Sequence, residues 1–145
     1  MRHLYFVVFA LALSACNKSD NSDESVVTMT DARAAANSSA GSSAVDCGTV
    51  EANVSRADAN CCMASNRAQS IPAFALYKIQ GIDTVLANAV SLKANGEVHY
   101  FEFSGNVGDF DEPVEGHITE KVCNGAQMAD NACSNETALP FICSQ

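Results

Sequence analysis

Seven cysteines carry most of the chemistry that this 145-residue chain can offer. A thiolate is a nucleophile, a paired thiol is a cross-link, and a compact thiol cluster is a zinc site; spacing decides among them. Redox catalysis needs an attacking thiol and a resolving one, usually as Cys-x-x-Cys at a helix start, and that spacing does not occur. Structural zinc asks for the same compact pairs. Six cysteines, Cys47, Cys61, Cys62, Cys123, Cys133 and Cys143, crowd the later part of the chain, and Cys16 stands apart. Six in so short a stretch predict three disulfides. Fifteen pairings are possible, and excluding the strained vicinal pair Cys61–Cys62 leaves twelve.

Other groups offer weaker chemistry. Asp109, Asp111, Glu112, Glu115 and His117 fall within nine residues. Oxygen donors so close could hold calcium, but the pattern is not an EF-hand loop and Pro113 restricts its wrap. The better reading is a solvated acidic loop, with no metal and no cofactor. His3 lies in the short N-terminal start ahead of the apolar run, and His99 is expected in a strand as a structural histidine. No Gly-x-Ser-x-Gly, His-Glu-x-x-His, phosphate loop or dinucleotide fingerprint is present, so no residue is assigned a catalytic role. Tyr77 and Tyr100 are candidates for an exposed recognition patch, since aromatic side chains often mark interfaces.

The seventh cysteine has its own context. Met1-Arg2-His3 supplies a positive start, and Leu4–Leu13 is an apolar run of ten residues. As a helix it would rise roughly 15 Å, half of a hydrocarbon core, which suits a signal peptide and not a membrane span. Leu13-Ser14-Ala15-Cys16 follows. This tetrapeptide, in this position, resembles the lipobox of bacterial lipoproteins. The resemblance covers residues 1–17 and implies removal of residues 1–15 with lipidation of Cys16 by diacylglycerol and an N-acyl chain such as palmitate. Asn17 after the cysteine implies the outer membrane of a Gram-negative cell envelope. The odd cysteine count is then explained, with an even six left for an oxidising periplasm.

The elements that position these residues follow from pattern. Residues 16–45 are polar, acidic and then rich in Ala, Ser and Gly, and read as a lipidated cysteine plus a flexible tether; a short helix over Met29–Ala36 is the alternative. Residues 46–145 read as the folded domain. Asp46 is a candidate N-cap for a helix reaching Arg67, with Val50, Val54, Ala57, Cys61, Ala64 and Ala68 on its inner face. That spacing points Cys61 inward and Cys62 elsewhere, so the two need different partners; the helix cysteines are expected to hold the C-terminal tail. Ala73–Gln80 reads as a strand. Asn95-Gly96 between two apolar runs predicts a tight two-residue hairpin, pairing Leu92 with His99 and Val90 with Phe101. Leu86, Val90, Leu92, Phe101 and Phe103 then form one buried face, with Tyr100, Glu102 and Lys93 on the other. Residues 118–123 are a candidate fourth strand. The expected fold class is α+β: an N-terminal helix packed on an antiparallel sheet of three to four strands, in two layers, stapled by disulfides.

Charge limits the partners. The chain has 8 Lys and Arg against 17 Asp and Glu, a formal net charge of -9. Such a balance repels nucleic acid and anionic head groups, so membrane association would have to come from the lipid anchor. The expected function is a cell-envelope lipoprotein, a non-enzymatic binding or structural module that meets an envelope protein or a small partner. The alternatives are an inhibitor or protective module against an envelope or secreted hydrolase, and a metal-dependent enzyme built on the acidic loop.

Overall fold

The computed structural model describes residues 26–106 and 116–144. Cys16 and the loop acids Asp109, Asp111, Glu112 and Glu115 lie outside them. Helices α1 (Met29–Ala40) and α2 (Ala57–Ala68) accompany strands β1 (Val45–Val50), β2 (Ala73–Gln80), β3 (Thr84–Leu92), β4 (Val98–Asn106) and β5 (Gly116–Cys123). The five strands make one sheet in the order β1-β2-β3-β4-β5. β1 runs parallel to β2, and the remaining neighbours are antiparallel. A small ribbon of β6 (Gln127–Met128) and β7 (Phe141–Ile142) follows, with a 3-10 turn at Ala132–Ser134 between its strands.

The α+β class and the disulfides hold, while the architecture is larger than expected. The sheet has five strands and is mixed, and both of its faces are covered in part. α1 packs on one face, where Met29, Ala32, Ala36 and Ala40 meet Phe74, Leu76, Val85, Ala87, Ala89, Phe101 and Phe103. α2 and the C-terminal tail pack on the other, around Met63, Tyr77, Val90, Leu92, Val98, Tyr100 and Phe141. The result is three layers. Each large apolar side chain taken out of water contributes about 1.5–3 kcal/mol.

The segment expected to be a tether therefore contains a packed helix. Thr28 and Asp31 form a capping box, each side chain satisfying the other's backbone N–H. Alanine at three of the four inward positions, Ala32, Ala36 and Ala40, brings the helix backbone close to the sheet. Gly41 stops it with φ at 108°.

The single helix expected over 46–67 is a strand, a turn and a shorter helix. Asp46 caps no helix; its carboxylate accepts from the Gly48 N–H at 2.8 Å and pairs with Arg33. Gly48 has φ at 95° and sits in the irregular stretch of the β1–β2 pairing between Asp46 and Thr49. Glycine and β-branched residues there disfavour helix, and Val45 instead donates to the Pro72 carbonyl at 2.8 Å. A disulfide joins Cys47 to Cys62, 15 residues apart. In one continuous helix those residues would stand roughly 22 Å apart. The inward face of α2 is Ala59, Asn60, Met63 and Asn66, while Val54 is exposed.

The hairpin is present with its register moved by one residue. Leu92 faces Val98, Val90 faces Tyr100, and Ser91 faces His99. Lys93 donates to the Glu97 carbonyl and Gly96 to the Lys93 carbonyl, both at 2.9 Å. Only Gly96 takes a positive φ. This is a three-residue loop with a glycine bulge, in place of the expected two-residue turn. The predicted single core face is thereby divided: Val90 and Leu92 point to α2, and Phe101 and Phe103 point to α1. Leu86 is half-buried.

Candidate functional site

The six cysteines form Cys47–Cys62, Cys61–Cys133 and Cys123–Cys143. Cys61 reaches the tail as expected; Cys62 instead reaches β1. Cross-linked cysteines supply no free nucleophile, so chemistry must be sought elsewhere. The two tyrosines are not a surface patch either. Tyr77 is fully buried and donates to Asn60 Oδ1 at 3.0 Å. Tyr100 is buried and donates to the Phe141 carbonyl at 2.8 Å. Burial raises both phenols above the ordinary value, Tyr100 to about 12. Both rings hold structure together.

His99 is buried on the α1 face of the sheet, with Glu120 Oε1 at 2.6 Å from Nδ1 and the Glu97 carboxylate at Nε2. Glu97 is held low, at about 2, first by His99 and then by Lys93, whose Nζ lies 2.9 Å away. Ser91 is fully buried directly across the strand pair, and its Oγ has no partner among the described residues. Hydroxyl, imidazole and carboxylate meet here, but both ring nitrogens face carboxylates and Ser91 has no path to solvent. The cluster fastens the hairpin turn to β5.

The remaining candidate is a shallow cavity of about 280 Å³ over the half of the α2 face that α2 leaves bare. Four strands build it. Ile79 and Leu86 supply apolar floor, and Asn88, Glu102, Ser104, His117 and Thr119 supply polar groups. Cross-strand pairing places them: Ile79 faces Leu86, Leu86 faces Ser104, Ser104 faces His117, Asn88 faces Glu102, and Glu102 faces Thr119. Opposed residues share a face, so this register gathers every one of them on one side. Gly116 lets β5 close in beside them, because a Cβ there would come within 2.6 Å of the Phe103 ring. Glu102 pairs with Lys121 at 2.6 Å. Asn88, Ser104, His117 and Thr119 have no hydrogen-bond partner among the described residues. Ser104 and His117 are neighbours without being hydrogen-bonded, so the pair is not poised as nucleophile and base.

Two features border this end of the sheet. Ile82, in the β2–β3 turn, is 98% exposed, and Val54, before α2, is 55% exposed. His117 is the one member of the sequence-predicted acidic group that the structure describes. Among the described residues no group of three His, Cys, Asp or Glu could hold a metal, and no helix is long and apolar enough to cross a membrane. A second groove of about 400 Å³ between α1 and the β1–β2 edge holds Arg33 and Lys78, each beside a carboxylate, Asp46 and Glu51.

Sequence reasoning singled out none of Asn88, Ser104 or Thr119. Short polar residues inside an apolar strand carry the only available signal: Asn88 and Ser104 interrupt runs that are otherwise hydrophobic. The described residues form a three-layer, disulfide-stapled α+β domain in which part of one sheet face is uncovered. No protein-family model, curated protein or solved structure matches the chain.

Proposed function

We propose that the protein is a lipid-anchored, non-enzymatic binding module of the cell envelope. The observation that carries the reading is the open half-face, where seven side chains from four strands line one cavity. Sheet surface elsewhere on that face lies under α2 and the tail. The lipobox-like Leu13-Ser14-Ala15-Cys16 supports the anchor, and three disulfides suit an oxidising compartment. The outer membrane remains the proposed address because Asn17 follows Cys16.

Two measurements test it. Growth with labelled palmitate should tag the wild type and not Cys16→Ser, which should also leave the membrane fraction; a membrane-bound, unlabelled Cys16→Ser protein defeats the anchor. A photo-reactive side chain placed at Leu86 should cross-link in intact cells to a partner that the same probe on exposed Asp130 misses. Equal adducts from both positions defeat the binding face.

A further inference from the structure

We infer that the cavity over β2–β5 takes a small, uncharged, hydroxyl-rich ligand of about one sugar ring. This rests on the binding-face reading above and gives that face its ligand class.

The argument starts from hydrogen-bond capacity. Asn88 carries an amide that both donates and accepts. Ser104 and Thr119 carry hydroxyls that do the same, and neutral His117 has one nitrogen of each kind. All four line the same cavity or its rim without a partner among the described residues. A carboxylate or phosphate ligand needs a surface of donors. An ammonium ligand needs acceptors. A surface of groups that can each do either fits hydroxyls, which also do either.

Charge leads to the same class. The chain as a whole is strongly acidic, but among the described residues the cavity is locally balanced, because the one carboxylate that lines it, Glu102, is tied to Lys121 at 2.6 Å. Among the described residues no lone carboxylate and no lone cation lines the cavity. Ile79 and Leu86 add an aliphatic patch beside the polar groups, as the C–H face of a sugar ring requires. The volume of about 280 Å³ lies just below the usual span of ligand cavities, about 300–1,000 Å³, which suits one ring and nothing larger.

The test uses the full chain in detergent, labelled with nitrogen-15, and four probes: glucose, N-acetylglucosamine, inorganic phosphate and putrescine. Either sugar should move the backbone amides of Asn88, Glu102, Ser104, His117 and Thr119, with little dependence on sodium chloride. In the double variant Asn88→Leu/Thr119→Val the sugar affinity should fall about tenfold, the loss of two hydrogen bonds, with an unchanged melting temperature showing that the fold is kept. Movement of the same amides by phosphate or putrescine and not by sugar overturns the ligand class while the cross-link from Leu86 still stands. Silence from all four probes also overturns the class. Loss of the Leu86 cross-link defeats the binding face itself.

Discussion

The α2 face of the sheet is finished differently at its two ends. At the end nearest the β3–β4 turn, Arg67 donates to the Ala126 carbonyl at 2.7 Å and lies over the Phe141 ring. Tyr100 ties to Phe141, and Cys123 is bonded to Cys143. Asn60, fully buried, donates to the Asn135 and Ala138 carbonyls at 3.2 and 3.1 Å. These contacts hold the tail against that half of the face. At the other end Asn88, Ser104, His117 and Thr119 share the same sheet face with no such use. The polar groups packed under the tail are hydrogen-bonded within the protein, whereas half-buried Asn88 and Ser104 and exposed His117 and Thr119 have no such bond among the described residues, and such groups on a rigid sheet are what a ligand can use.

If the stapled half is what makes the open half rigid, cutting staples should have the largest effects. Cys61–Cys133 closes the longest loop, 72 residues in separation. Loop-closure entropy puts its contribution at about 4 kcal/mol, against about 3 kcal/mol for the 15-residue separation of Cys47–Cys62. The double variant Cys61→Ala/Cys133→Ala should therefore lower the urea midpoint more than Cys47→Ala/Cys62→Ala. The reverse order would show that chain entropy does not set the value of these bridges.

Next in size is the asparagine beneath the tail. Asn60→Ala strands the Tyr77 hydroxyl and two tail carbonyls, and each buried group left unmatched costs about 1–3 kcal/mol. A calorimetric loss of about 3 kcal/mol, the low end for three such groups, with the five-stranded sheet still present by circular dichroism, would place the tail's hold in Asn60. A loss near zero would hand it to the disulfides alone.

How much of this division was legible in the sequence depends on the side chain. Three disulfides, a strand over Ala73–Gln80 and a hairpin around Asn95-Gly96 all follow from local signals, because thiols, alternation and turn residues mean much the same in any context. The hairpin register did not follow. Both registers sort apolar from polar residues acceptably, since both faces of the sheet are covered, and a pattern with two buried faces fixes register weakly. α1 was obscured by alanine, which reads as small and flexible until a sheet is laid against it. α2 was obscured by Asn60 and Asn66, polar by type yet buried because they bind tail carbonyls and the Cys62 carbonyl. The open half was hidden for the same reason in reverse: nothing local says that Leu86 will lack a cover.

Acid should weaken the stapled end through a group on its far side. Glu97 titrates at about 2 in the folded protein, first because of His99 and then Lys93. A carboxyl group depressed below its usual value of 4.5 stabilises the fold above that pH. The contribution fades as pH falls from about 4.5 through about 2. Urea midpoints of the wild type and Glu97→Gln should differ at pH 6 and converge by about pH 2. A constant difference across that range would mean that Glu97 acts through packing and not through charge.

The smallest effects belong to the open half, and they sharpen the comparison most. Asn88→Ala and Thr119→Ala remove side chains that hold nothing among the described residues, so each should change stability by no more than about 0.5 kcal/mol. The contrast with Asn60→Ala is between an asparagine on α2, beneath the tail, and one on β3, on the sheet face that α2 packs against but beyond the tail. If Asn88→Ala cost as much as Asn60→Ala in the same urea titration, the open half would be carrying structure and its polar groups would not be free for a ligand. If it costs nothing, the fold has no use for an amide at that position, and the reason for placing one there lies outside the fold.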